Sequence, residues 1–327
     1  MTDRLTVLTT LSTDPYHNLG LEEYLLDRVR PGECILYLWQ NQRTVVIGRN
    51  QNAESECRFR LLEQEGGHLA RRLSGGGAVY HDLGNLNFTF LMPTEDFDKE
   101  KQTDVILAAV QKAGFRAERN GRNDLTVDGR KFSGHAFYHS GSKSYHHGTL
   151  MVEVDQEPMA RYLNVSPLKL QAKGVKSVRS RTGNLRDWKP DLTIEELKQH
   201  LIDAFQEIYG FSAELRTEAD LDSAALEQYR RKFASPEWLY GTAEPLDFSR
   251  EARFGWGTVR VDWSVKDGAI SRAALWSDGL EADYLQEAPA RIRGVPAERS
   301  ALEQALAAGG REEYSRMAAD LAALITQ

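Results

Sequence analysis

Apolar and polar positions alternate along this chain with two periods, and the periods predict its elements. Leu5 to Leu11 is apolar and β-branched and predicts a first strand. Asp14-Pro15 then supplies an N-cap followed by proline at the first helical position. Leu21, Tyr24, Leu25 and Arg28 fall on one face of the helix that follows, which Pro31-Gly32 ends. Cys34 to Trp39 and Thr44 to Gly48 are short apolar runs split by a polar turn, the pattern of paired, largely buried strands. Asn52 to Glu65 predicts a helix that stops at Gly66-Gly67. Asn87 to Leu91 alternates as a strand should, and Thr103 to Ala113 predicts a helix with Val105, Ile106, Ala109 and Val110 on one side.

Further on, Asp124 to Val127 and Lys131 to Tyr138 flank Asp128-Gly129, a strong hairpin signal. His147 to Asp155 predicts another strand. Thr193-Ile194-Glu195-Glu196 opens a helix with a capping-box pattern, running to Tyr209-Gly210. Ser235 to Asp247 holds two prolines, a glycine and two aromatic residues and reads as a domain seam, with Trp238 and Tyr240 apolar enough to pack. Beyond it, Phe254 to Val265 and Ala269 to Trp276 predict strands around a turn at Lys266-Asp267-Gly268. Tyr314, Met317, Leu321 and Leu324 sit at helical spacing near the end. The expected organisation is a large α/β domain over residues 1–242 and a small α+β domain over 247–327. There is no internal repeat.

Composition narrows the class. With 327 residues, 41% hydrophobic and 27% charged, the chain can bury a sizeable core. Asp and Glu outnumber Lys and Arg by 48 to 41, for a formal charge of −7, which argues against a general nucleic-acid binder. Cys34 and Cys57 have no CxxC spacing and are expected as buried thiols rather than a zinc site. The first residues lack the apolar stretch of a signal peptide, and no run of about 20 apolar residues suits a membrane span. The expected compartment is the cytoplasm, without membrane association.

Candidate chemistry concentrates in four stretches. The first runs from Arg71-Arg72-Leu73-Ser74-Gly75-Gly76-Gly77-Ala78 through Val79-Tyr80-His81-Asp82 to Leu83-Gly84-Asn85. Three successive glycines cost backbone entropy on ordering. Either their N–H groups form an anion nest beside paired arginines, or the segment is a flexible connection with its arginines in water. In the second, Asn123-Asp124 and Lys131-Phe132-Ser133-Gly134 bracket the hairpin, so pairing brings Asp124 beside Lys131. A lysine so fixed can polarise a carbonyl and a phosphate together, and the carboxylate can hold Mg²⁺ through water. A solvated lysine fits the spacing equally. In the third, His146 and His147 point to opposite faces of a strand and cannot easily share one metal. One is expected buried and hydrogen-bonded, the other lining a pocket. The fourth, Lys169 to Arg181, holds five basic residues and no acidic one, which suits a solvated loop or a segment over a polyanionic ligand. Neither GxSxG nor a P-loop sequence occurs.

Taken in order, these stretches resemble the lipoate–protein ligase A family. The similarity includes Asn18-Leu19 with Glu22-Glu23, Val45 to Asn52, the Arg71 to Asn85 run, Gly121 to Leu125, Lys131 to Gly134, His146 to Leu150 and Lys173 to Arg181. It continues at Phe254-Gly255-Trp256-Gly257 and Ser277-Asp278. The resemblance implies a biotin/lipoate–protein ligase fold, related to the class II aminoacyl-tRNA synthetase core, with an accessory C-terminal domain. It implies that lipoate and ATP form lipoyl-adenylate. The lipoyl group would then pass to a lysine on lipoyl domains of 2-oxoacid dehydrogenase complexes or on the glycine-cleavage H protein. A monomer is the default expectation. On this resemblance Arg72, Gly77, Ala78, Val79, Tyr80, Asn123, Asp124 and Lys131 would serve the nucleotide. Ser74, Gly75, Gly76, His81, Lys131 and His147 would serve lipoate, and Asp124 would place Mg²⁺ or orient Lys131, the catalytic residue. Lys173, Gly174, Val175, Lys176, Ser177, Val178, Arg179, Ser180 and Arg181 would form a loop over the adenylate. Two alternatives share the fold. One is a transferase using preformed lipoyl-adenylate. The other is an acyl-carrier-dependent octanoyl transferase with a cysteine nucleophile, against which Thr149 counts because no cysteine follows His147.

Overall fold

The structure, a computed structural model, describes residues 2–121, 123–164, 182–241, 246–307 and 312–327. By packing, the chain falls into two compact units. One comprises residues 1–46, 57–71 and 79–239; the other comprises 47–56, 72–78 and 240–327.

The first unit is built on an eight-stranded mixed sheet. Its strands are β1 (Arg4–Thr9), β2 (Glu33–Trp39), β6 (Asn85–Pro93), β7 (Ala117–Asn120), β8 (Asp124–Val127), β9 (Arg130–Ser140), β10 (Lys143–Met151) and β11 (Ala213–Arg216). Their order is β11-β1-β2-β6-β10-β9-β8-β7, with β1 parallel to both neighbours and β2, β6, β10 and β9 antiparallel in turn. A second small sheet has the order β4-β3-β5, from β3 (Thr44–Ile47), β4 (His68–Arg71) and β5 (Val79–His81).

The large sheet has two different faces, because side chains alternate along each strand. Leu36, Leu38, Phe88, Phe90 and Met92 face the dry side. There they join Val105, Ile106, Ala109 and Val110 of the Lys99–Lys112 helix and Leu197, Leu201 and Phe205 of the Ile194–Tyr209 helix in one core. Tyr37, Trp39, Asn87, Thr89, His147 and Thr149 take the opposite side, which the Pro15–Arg28 helix approaches through Glu22. That helix begins as its sequence predicts: the Asp14 carboxylate accepts from the Tyr16 N–H at 2.9 Å, with Pro15 in the first turn. It packs on the Ser223–Ala234 helix at Gly20, where a Cβ would lie 2.9 Å from the backbone nitrogen of Arg230. Only glycine permits that approach.

Several boundaries differ from the sequence reading. The helix expected over Asn52–Glu65 is two helices, Ala53–Glu56 and Phe59–Gln64. Between them buried Cys57 makes a β-bridge to Leu163, and the Arg58 N–H donates to the Tyr162 carbonyl, so tertiary pairing overrides helical continuity. The strand expected over His147–Asp155 is Lys143–Met151. The polar residues 143–146, which look like loop, complete the ladder with β6 and β9. At Asp128-Gly129 the hairpin forms as expected, both residues having positive φ (50° and 75°).

The second unit has a three-stranded antiparallel sheet of β12 (Phe248–Phe254), β13 (Gly257–Lys266) and β14 (Ala269–Ser277). It packs on helices Ala282–Ile292, Arg299–Leu306 and Glu312–Thr326 around Val259, Val261, Ile270, Leu285, Leu302 and Leu321. The single strand expected from Phe254 to Val265 is broken at Gly255-Trp256, where the chain turns between β12 and β13. Among the described residues no helix is long and apolar enough to cross a membrane.

Candidate active site

The residues singled out from the sequence divide between the two units. In the first unit they lie on the polar face of the large sheet. Lys131 and Asp124 stand on neighbouring strands, and Lys131 Nζ lies 2.7 Å from Asp124 Oδ1. A bulge at Lys131-Phe132 lets this happen: Thr126 pairs with Lys131 but Leu125 pairs with Ser133. The extra residue turns the lysine over Gly134, where a Cβ would meet Nζ at 2.6 Å. Gly134 thus leaves the room that the lysine fills. The Lys131 carbonyl accepts from the Gly183 N–H at 2.9 Å, which fixes the backbone beneath the ammonium. Asn123 is engaged with β9: its amide donates to the His135 carbonyl at 2.8 Å, and its own carbonyl accepts from the His135 N–H.

From Gly134 a row of neighbouring positions crosses the sheet. Thr149 on β10 comes next, its Oγ1 3.3 Å from the Gly134 N–H, then Asn87 on β6 and Trp39 on β2. The adjacent row holds His147, Thr89 and Tyr37. Trp39, Thr89 and His147 form one network with Glu22. Trp39 Nε1–H donates to Thr89 Oγ1 at 3.1 Å, Thr89 donates to Glu22 Oε1 at 2.7 Å, and His147 Nδ1 lies 2.8 Å from the same oxygen. Glu22 is 1% exposed. A carboxylate so buried is held by donors on two strands, the condition under which a buried charge is tolerated. Buried His81 on β5 meets the edge of the Trp39 ring at 6.3 Å, and its Nδ1 lies 3.3 Å from the Asn41 amide. Both histidines assigned to lipoate therefore join one buried network.

His146 faces the other way, as alternation requires. Its Nδ1 lies 3.0 Å from Gln102 Oε1, an acceptor, so His146 donates there. Its Nε2 must then accept from His135 Nδ1 at 2.8 Å, and His135 Nε2 accepts from the Ser133 hydroxyl at 3.0 Å. Burial, and then the Lys131 charge, pushes His135 down to about 3. Burial, and then His135, holds His146 well below the usual histidine range.

Tyr80 is buried on β5 beside Tyr162, and burial raises its hydroxyl to about 12. Val79, half-buried, pairs with Val46. Asp82 ties the second glycine turn: its carboxylate accepts from the N–H groups of Gly84 and Asp155, both at 2.8 Å. Arg71 is structural, donating to the carbonyls of Trp238 and Leu239 at 2.8 and 2.7 Å while the Trp238 indole donates back to its carbonyl.

The second unit holds the glycine loop. Buried Arg72 turns its guanidinium onto its own loop, donating to Ser74 Oγ at 3.1 Å and to the Gly75 and Gly77 carbonyls at 2.8 Å. The Gly76 N–H donates to the Gly279 carbonyl at 3.0 Å, and a Cβ on Gly75 would lie 2.3 Å from that oxygen. Gly76 has φ +93°, where a side chain is strained. So one reason for the glycines is close approach to the backbone at Gly279-Leu280. Ala78 is half-buried at the loop's end. Residues Lys173 to Arg181, expected as the covering loop, lie outside the described residues, as does Arg122.

Sequence reasoning gave no role to Trp39, Asn87 and Thr89, and quoted Glu22 without a partner. The signal was present: Asn85, Asn87 and Thr89 are polar at every second position of an otherwise apolar strand. Among the described residues no group of three or more His, Cys, Asp or Glu could hold a metal ion.

The chain that carries this lysine–carboxylate pair and buried polar row belongs to a known class. Residues 14–206 match the model of the lipoyl protein ligase A/B catalytic domain, and residues 244–325 match that of the bacterial lipoate protein ligase C-terminus. The lipoate-protein ligase A of Psychrobacter cryohalolentis is 40% identical over 304 residues, 89% of each chain. Plasmodium falciparum LipL1 in complex with lipoate superposes with TM-score 0.85 at 25% identity, covering 97% of this chain and 98% of that one. A lipoate-protein ligase A bound with ATP gives TM-score 0.62 at 26% identity, over 74% and 99%. The bipartite ligase of Thermoplasma acidophilum, solved with its E2 lipoyl domain, gives 0.64 at 27% identity, over 76% and 100%. The chain belongs to the lipoyl protein ligase A/B family. It is an enzyme of the lipoate–protein ligase class, with the bacterial C-terminal domain attached.

Proposed function

We propose that this enzyme activates lipoate with ATP and transfers the lipoyl group to a lysine of an acceptor lipoyl domain. The observation that carries the reading is the Lys131–Asp124 pair set over Gly134 at the end of the polar row. A carboxylate is a poor acyl donor because its leaving group would be an oxide. In the first step a lipoate oxygen attacks the α-phosphorus of ATP, the bond to the β-phosphate breaks, and pyrophosphate leaves. In the second, the acceptor amine attacks the acyl carbon and AMP leaves with the C–O electron pair. Negative charge gathers on the same few oxygens in both steps. A fixed ammonium there lowers both barriers without reorganising.

Asp124, 2.7 Å from Nζ, keeps Lys131 aimed. Mg²⁺ would arrive on the ATP phosphates. Such a cation is held by phosphates and one or two carboxylates, of which Asp124 is the candidate. Arg72, Gly77, Ala78, Val79, Tyr80 and Asn123 would face the nucleotide. Ser74 to Gly76, His81 and His147 would face the acyl chain. The segment Lys173 to Arg181 would cover the adenylate, and catalysis would reside in residues 1–242 with 247–327 accessory. ATP in one relative and an E2 lipoyl domain beside another support ATP as co-substrate and lipoyl domains as acceptors. The lipoyl domains of 2-oxoacid dehydrogenases and the glycine-cleavage H protein are the acceptors to try first. An acyl-carrier route through a cysteine is disfavoured. Position 149 is threonine, and Cys34 lies in the core with burial pushing its thiol up to about 12.

The test incubates the chain with an apo lipoyl domain, lipoate, ATP and Mg²⁺ and reads the acceptor's mass. Gain of one lipoyl group supports the reading. Gain only from preformed lipoyl-adenylate, or only from an acyl-carrier thioester, replaces it.

A further inference from the structure

Asn87 is buried at 2% exposure on the polar face, where its side chain bonds a neighbouring asparagine. Asn85 Nδ2–H donates to Asn87 Oδ1 at 2.9 Å, so the oxygen end is fixed and Nδ2 is the end left over. That nitrogen has no hydrogen-bond partner among the described residues. Leaving a buried N–H unmade is costly, and such a group in a native fold calls for a reason. The neighbouring polar groups do not provide one. Thr149 Oγ1 is engaged with the Gly134 N–H, and Thr89 and His147 both bond Glu22.

The register gives the distance from the reacting end. Asn87 is two strands from Gly134, over which Lys131 Nζ lies, so about 9–10 Å separates the two positions. With carbon–carbon bonds of about 1.5 Å in zigzag, an eight-carbon acid covers roughly the same span. An acid whose carboxylate meets Lys131 and whose chain follows the row therefore ends beside Asn87 and Trp39. Lipoate carries its two sulfurs at that end; octanoate carries only methylene and methyl groups. Sulfur is a weak acceptor but a usable one. The other face of this sheet shows the same pairing, Gln102 Nε2–H donating to Met92 Sδ at 2.9 Å.

We infer that Asn87 is a specificity-determining residue: its Nδ2–H donates to a dithiolane sulfur and so favours lipoate over octanoate. This rests on the reading that the carboxylate sits at Lys131. Octanoate fills the row but leaves the amide unpaired, the situation in which a site rejects an analogue lacking the expected group.

The experiment measures equilibrium binding of lipoate and octanoate to the full chain without ATP, for wild type, Asn87→Leu and Asn87→Asp. Leucine removes the donor. Aspartate keeps the shape and the acceptor for Asn85 but cannot donate when ionised, so it separates donation from a merely structural role. Thermal unfolding confirms that each variant is folded. Both variants should narrow the lipoate-over-octanoate preference by about five- to tenfold, mostly through weaker lipoate binding. An unchanged preference in both variants, equal weakening of the two acids, or wild-type preference retained in Asn87→Asp overturns the assignment while leaving the site reading intact. A wild-type chain that binds neither acid overturns the site reading and Asn87 with it.

Discussion

Two adjacent residues, His146 and His147, end up in opposite chemical worlds. His147 looks onto the polar face, beside a buried carboxylate and in the row next to the one that leads to Lys131. His146 looks into the core, where His135, Gln102, Phe88 and Phe90 enclose it. On the dry face one chain of hydrogen bonds closes on itself: every proton from Ser133 through His135 and His146 to Gln102 has an assigned acceptor. On the polar face one donor, Asn87 Nδ2–H, is left over beside the row that ends at the Lys131–Asp124 pair. A satisfied network stiffens a fold; an incomplete one marks where a ligand belongs.

The comparison breaks most sharply at Lys131. Lys131→Ala should lower lipoate-dependent ATP–pyrophosphate exchange by about a thousandfold while leaving the thermal midpoint within a few degrees, because the side chain leaves no core cavity. Exchange at the wild-type rate would remove Lys131 from the chemistry. The next largest effect belongs to the other face. His146→Leu strands the His135 Nδ1–H and the Gln102 Oε1 and should cost about 2–4 kcal/mol of stability by denaturant unfolding.

The same pair predicts the acid limb. Both rings are held neutral in the folded chain, whereas unfolded histidine takes a proton from about pH 6.5 downward, so the unfolded state binds more protons as pH falls. Stability is full above that pH and drains toward pH 3, by about 1.4 kcal/mol per pH unit for each ring. The slope in His146→Leu should fall by about one proton. An unchanged slope would place the acid response elsewhere.

In the second unit, Gly75→Ala forces a Cβ against the Gly279 carbonyl and should cost about 1–3 kcal/mol, read as faster hydrogen exchange in β13 and β14. Gly279→Ala meets only the end of the Leu285 side chain on its closest side and should cost less. The smallest effect expected is from Glu22→Gln. It removes the charge but keeps an acceptor for Thr89 and His147, and should raise the KM for lipoate about threefold with kcat little changed. A large loss of kcat would move Glu22 from positioning into the chemistry.

Much of this was legible beforehand. Asp128-Gly129 predicted the hairpin that sets Asp124 against Lys131, and alternation alone placed His146 and His147 on opposite faces. What the pattern could not show was the bulge at Phe132, which decides that Lys131 lies over Gly134. Bulges follow from tertiary pairing and leave no periodic trace. The glycine loop was legible as glycine-rich, but one reason for it was not. Its approach to Gly279 joins segments some two hundred residues apart, which no local window contains. The polar alternation of Asn85, Asn87 and Thr89 was in plain view and gained meaning only when β2 and β10 were set on either side.

The central claim is that the acyl substrate lies along the polar row with its carboxylate at Lys131. A crystal structure of the chain with lipoate tests it directly. The account predicts a carboxylate oxygen within hydrogen-bonding distance of Lys131 Nζ and the dithiolane between Asn87 and Trp39. A lipoate bound in the reverse sense, or away from this face, would contradict it.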